Sequence, residues 1–107
     1  MNILSELGLP KSKVKEYQKS LKKYKYIDDL NKLKIGSYIR WIDKGVLKKG
    51  MFLCDIVIGD NGVYLKGKVF QYMINLNIED CILFQKLSND ETVILSAINL
   101  VDSNYIL

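Results

Sequence analysis

The stretch LKIGSYIRWIDKGVLKKG, residues 33–50, decides the fold of this chain. Before it, apolar residues recur at helical spacing: Val14, Tyr17, Leu21 and Tyr24 lie three, four and three positions apart, one stripe of an amphipathic helix. From Leu33 onward the period falls to about two, and β-branched and aromatic residues take over, as a half-buried strand requires. Successive side chains of a strand point to opposite faces. Arg40 and Trp41, the only arginine and the only tryptophan, are therefore separated: Trp41 goes to the core with Ile39, and Arg40 goes to the other side with Tyr38 and Ile42.

Working outward, the same alternation predicts five strands, at 37–43, 51–58, 62–69, 72–78 and 81–86. Gly59-Asp60-Asn61-Gly62 is a tight-turn sequence, because Asp, Asn and Gly accept the positive φ of short hairpins. Gly67 inside the third strand marks a bend or bulge. The expected core faces are Phe52, Cys54, Ile56 and Ile58 in the second strand, Val63, Leu65, Gly67 and Val69 in the third, and Tyr72, Ile74, Leu76 and Ile78 in the fourth. Short strands joined by tight turns bury a core only by curling on themselves. The fold class expected is α+β: a small five-stranded antiparallel β-barrel, SH3-like or OB-like, with an N-terminal amphipathic helix and a C-terminal helix.

The helices flank this barrel within a single domain, 1–107. Residues 1–34 read as a basic helical extension, with a short first turn ended by Gly8 and the main helix opened by Pro10, whose missing N–H costs nothing there. The barrel occupies 35–87. Residues 88–107 begin with Ser88-Asn89-Asp90-Glu91, the spacing of a capping box, and Val93, Ile94, Ala97, Ile98 and Val101 supply an apolar helical face.

Composition bounds the function. The chain is 49% hydrophobic and 26% charged with a net charge of +4, long enough for one core that buries roughly two thirds of its unfolded surface. Residues 1–34 hold nine lysines against four acids, whereas 88–107 hold three acids and no base. No apolar run approaches the length of a membrane span, and the first residues lack the order of a signal peptide, so a cytoplasmic location is expected. Histidine is absent, which removes the commonest general base and metal ligand. No phosphate-binding glycine loop is present. The pairs Asp28-Asp29 and Glu79-Asp80 are sequence neighbours whose side chains diverge, and they read as turn or capping residues. Cys54 and Cys81 sit in apolar runs and read as buried free thiols. The expectation is a protein that is not an enzyme and holds neither metal nor cofactor.

What remains is surface chemistry. Alternation gathers Tyr38, Arg40, Tyr64, Lys66 and Lys68 toward one barrel face, the mixture that stacks bases and holds phosphates. The outer face of the first helix carries Lys15 and Lys19, followed by Lys22 and Lys23. These nine residues form the expected nucleic-acid-binding set, with lysine also explicable as the solvated side of strands and helix. The alternative is contact with other protein subunits.

Two resemblances attach to these segments. Leu33, Lys34, Gly36, residues 38–42, Leu47, Lys49 and Gly50, followed by a hairpin and ILFQKLS at 82–88, resemble small proteins of large nucleocytoplasmic DNA viruses over about half of the chain, with Lys49-Gly50 where a glycine pair is expected. The resemblance implies a viral protein of the host cytoplasm or the virion, acting in assembly or host-protein interaction, and carries no active site. Residues 3–21 are similar to the first helices of winged-helix regulators, but no third helix follows before the strands begin.

Overall fold

The computed structural model describes residues 2–92. Helix α1, Asn2–Ser5, is a single turn, and the chain then leaves helical geometry at Gly8, whose φ of +68° suits glycine. Pro10 precedes α2, Lys11–Ser20, as its N-cap with φ −56°. The helical stripe reaches only as far as Leu21. Tyr24 opens strand β1, Tyr24–Ile27, which pairs antiparallel with the last strand from Tyr24 opposite Lys86 to Ile27 opposite Leu83. The 1–34 segment is thus not purely helical; it supplies an edge strand and a 3-10 turn at Leu30–Lys32. The sequence YKYI fits either period, and hydrogen bonding to a neighbouring strand decides between them.

The five expected strands form within a residue of their predicted limits: β2 Tyr38–Asp43, β4 Met51–Gly59, β5 Gly62–Val69, β6 Tyr72–Asn77 and β7 Cys81–Lys86, with a two-residue β3, Val46–Leu47, between β2 and β4. Lys44 and Gly45 both take positive φ, 51° and 79°, the requirement of a type I′ hairpin turn between β2 and β3. All seven strands belong to one antiparallel sheet of order β1-β7-β2-β4-β5-β6, with β3 beside β2. Among the described residues the sheet is open, with β1 and β6 as the ends of this order.

Both halves of the sheet wrap the same core. Ile27, Ile39, Trp41 and Leu83 come from β1, β2 and β7, Met51, Leu53 and Leu65 from β4 and β5, and Leu33 from the 3-10 connection. Ile39 and Trp41 are buried as expected. Among the described residues Gln85 is the buried polar one. Its Oε1 accepts from the Lys34 N–H at 2.8 Å, and its Nε2 donates to the Lys32 carbonyl at 3.3 Å, tying that connection to β7.

Strand β4 reverses the expected faces in its first half. Met51 and Leu53 are buried, whereas Phe52 is 55% exposed and Cys54 lies at the surface. The register runs from Leu53 opposite Gly67 directly to Asp55 opposite Lys66, so Cys54 is the extra residue of a bulge. Beyond it the parity shifts back to the expected face: Ile56 packs on the core, and Ile58, near the end of the strand, is 78% exposed. Gly67 stands opposite because a Cβ there would run into the Met51 side chain.

A second, smaller core lies on the convex side of the sheet, where Leu4, Tyr17 and Leu21 pack against Ile42 and Phe84. Tyr17 Oη donates to the Gly45 carbonyl at 2.9 Å and accepts from the Leu47 N–H at 3.3 Å, fastening α2 to the β2–β3 hairpin. The capping box forms: the Glu91 N–H donates to Ser88 Oγ at 3.1 Å, and the Ser88 N–H donates to Glu91 Oε1 at 3.2 Å. Residues 89–92 are helical, and the apolar face from Val93 to Val101 lies outside the described residues. Among the described residues no helix is long and apolar enough to cross a membrane.

Candidate functional site

Among the described residues, α1 and α2 cover only part of the convex face. On the remainder, cross-strand pairing builds a transverse row. Tyr24 stands opposite Lys86, and the register that puts Ile39 opposite Gln85 sets Tyr38 beside Lys86. Tyr38 is opposite Phe52, Phe52 opposite Lys68, and Lys68 opposite Met73. The row therefore reads Tyr24, Lys86, Tyr38, Phe52, Lys68, Met73 across six strands. Residues directly opposite in antiparallel strands share a face and touch.

Tyr38 and Phe52 meet edge to face, with ring centroids 4.9 Å apart and planes at 79°. They form a ridge between two clefts. One, of about 510 Å³, is bounded by Tyr38, Gly50, Phe52, Lys68 and Phe70. The other, of about 440 Å³, is bounded by Tyr24, Lys34, Tyr38, Phe52, Lys86 and Glu91, with Gln85 at its base. The second cleft holds a local anion: Lys25 at 2.6 Å and the Ser88 N–H hold the Glu91 carboxyl down to about 2. Lys34 lies 3.8 Å from the same carboxylate, so these two lysines are partly neutralised. Lys68 and Lys86 make no ion pair among the described residues. Burial pushes the Tyr24 phenol up, offset in part by the Arg40 guanidinium.

The expected residues are only partly brought together. Tyr38 and Lys68 lie on the row, and Lys66 is next along β5, opposite Asn75 and Asp55. Arg40 shares the face, but its Nε donates to the Lys48 carbonyl at 2.9 Å, as Tyr38 Oη donates to the Lys49 carbonyl at 2.9 Å. Both side chains thus fasten the segment between β3 and β4. Tyr64 is on the same face at the far end of β5, opposite Val57 and Asn77, away from the ridge. Lys22 borders a hollow with Tyr24, which places it at one end of the row. Lys15, Lys19 and Lys23 are exposed and border neither cleft.

Phe52, Phe70, Lys86 and Lys34 lie on the clefts but outside the expected set. An unbroken alternation from Cys54 puts Phe52 in the core, and only the parity of Met51 and Leu53 points the other way. Phe70 sits in the β5–β6 turn with φ 54° and is 88% exposed. The paired carboxylates serve turns: Asp29 accepts from the Asn31 N–H, Asp28 pairs with Lys32 at 2.8 Å, and Asp80 takes φ 66° between β6 and β7. Cys54 and Cys81 are both free thiols. Comparison of the chain with protein-family models, with curated proteins and with solved structures returns no match.

Proposed function

We propose that this protein is a non-catalytic binding module that takes a single-stranded nucleic acid across its convex face. Lys68, Lys66 and Lys86 meet phosphates, and Phe52 and Tyr38 offer ring surface to bases. The observation that supports this reading is the transverse row, which sets two lysines among three aromatic rings on one surface. Phosphate contacts supply sequence-independent attraction, and aromatic platforms accept any base. In this reading the curled sheet serves as an SH3-like or OB-like barrel whose rings favour unpaired bases over a closed duplex.

A fluorescently labelled oligonucleotide titrated with the protein tests it. Three phosphate contacts predict that log K falls with log salt at a slope of about −2. Phe52→Ala, at an exposed position, weakens binding by about 1 to 3 kcal/mol without unfolding the protein, and Lys68→Glu weakens it and flattens the salt slope. No binding at low salt, or binding indifferent to both substitutions, overturns the reading.

A second reading, contact with another protein, draws on Phe70. A bulky residue at positive φ is strained, and here the strain holds an apolar ring in solvent at the tip of a hairpin whose Met73 is itself 59% exposed. Phe70→Ser separates the readings, because it abolishes a protein contact and leaves the salt slope of nucleic-acid binding unchanged.

A further inference from the structure

The two edges of the sheet are treated differently. Strand β1 is four residues long, and its Lys25 is held by Glu91 from the 89–92 turn. A short strand with a charged residue protects an edge against pairing. Strand β6, YMINLN, is six residues long, carries no charge and no proline, and has no strand on its outer side among the described residues. Tyr72 is 75% exposed and Met73 59%.

The hydrogen-bond phase of β6 follows from its other neighbour. The Ile78 N–H donates to the Val63 carbonyl at 3.2 Å, and Tyr72 and Val69 close the two-residue turn to β5. In an antiparallel pair, inward and outward peptide groups alternate, so Tyr72, Ile74 and Leu76 bond to β5. The peptide groups of Met73, Asn75 and Asn77 face the open edge. The Asn77 carbonyl receives only a weak thiol donor, Cys81 Sγ at 3.5 Å.

We propose that this edge pairs with the β6 edge of a second copy of the chain, antiparallel about a two-fold axis through Asn75. In that register Asn75 faces Asn75 of the second copy and Met73 faces Asn77, so every outward peptide group of the strand is bonded. The same register places Ile74 against Leu76 and Tyr72 against Ile78 on the concave face, where Ile74, Leu76 and Ile78 already pack on the core. No charge meets a like charge along the strand. The antiparallel sense also brings the Glu79-Asp80 turn of one copy to the Lys68 end of the other's hairpin. Shifting the register by one residue would oppose the two faces, and a two-residue shift removes the central pair. A second copy is thus an occupant that matches this edge in length, phase, polarity and charge. The proposal is independent of nucleic-acid binding.

A six-residue edge covers less area than a standard interface, so the dimer is weak and concentration-dependent. Sedimentation of the full chain from about 10 μM to about 1 mM tests it. The wild type should shift from monomer to dimer over this range. Asn75→Lys opposes two cations across the axis and should raise the dissociation constant roughly tenfold. Asn75→Pro removes an outward N–H while leaving the β5 ladder intact, and should raise it about a hundredfold. Circular dichroism of both variants should match the wild type. Phe70→Ser, at the exposed turn, should leave association unchanged. A wild type that stays monomeric, whether the edge is bare or taken by another segment, overturns the proposal. So does a dimer that survives both Asn75 substitutions or dissolves with Phe70→Ser.

Discussion

The Arg40 guanidinium reaches back along its own face of the sheet and donates from Nε to the carbonyl of Lys48 at 2.9 Å. That carbonyl lies where the chain leaves β3 for β4, as the register along β2 steps from Leu47 opposite Ile42 to Met51 opposite Ile39. The step inserts one residue, and Tyr38 Oη secures the next carbonyl, Lys49. Arg40→Met, which keeps the aliphatic stem, should cost about 1 kcal/mol in urea unfolding. Tyr38→Phe should cost a similar amount, with the double variant losing less than the sum because both bonds hold one segment. Unchanged midpoints in both variants would show that the segment is held by the ladder alone.

Gly50 and Gly67 are both required, for different reasons. A Cβ at Gly50 falls on the backbone oxygen of Ile39, and its φ is +107°, so Gly50→Ala should cost about 3 kcal/mol with no single compensating change. At Gly67 the obstacle is the flexible Met51 side chain. Gly67→Ala should cost roughly 1 to 3 kcal/mol. Met51→Ala alone is destabilising through the cavity it leaves, but the double variant should be more stable than additivity predicts, by about 1 kcal/mol or more. Additive costs in that cycle would mean that the two side chains do not compete for one space.

The Lys25–Glu91 pair makes stability pH-dependent in a defined window. The ordinary Glu91 value of 4.5 falls to about 2 in the folded protein, so the unfolded chain binds the proton first. The contribution is full above about pH 4.5 and is lost as pH falls toward about 2. Because both side chains are about 30% exposed (32% and 28%), solvent screening reduces it to about 1 kcal/mol. Glu91→Gln should remove that part of the acid sensitivity, read as the difference in unfolding midpoint between pH 6 and pH 3. The same slope in wild type and variant would place the acid-sensitive group elsewhere.

Cys54 and Cys81 should react with a thiol reagent at different rates. The bulge turns Cys54 to the surface, whereas Cys81 is partly buried. Burial, together with the nearby Asp43 and Asp80 carboxylates, pushes the Cys81 thiol up, which lowers its thiolate fraction. Native protein at neutral pH should show one fast and one slow equivalent, and Cys54→Ser should eliminate the fast one. Loss of the slow phase instead would place Cys54 in the core and remove the bulge.

Five strands nearly to the residue, the burial of Ile39 and Trp41, the turn at Gly59 to Gly62 and the Ser88–Glu91 box are all legible in the sequence alone. Each depends on side-chain periodicity or on bonds between residues close in the chain. Only the tertiary structure decided that Tyr24 begins a strand, because its partner Lys86 is distant in sequence. It alone placed Phe52 outside and Met51 inside, because one extra residue at Cys54 inverts a period of two and leaves no mark in composition. It also separated Arg40, bound to the Lys48 carbonyl, from Lys68, set beside Phe52. The convex row is a product of register, and register is set by pairing between strands that no local pattern connects.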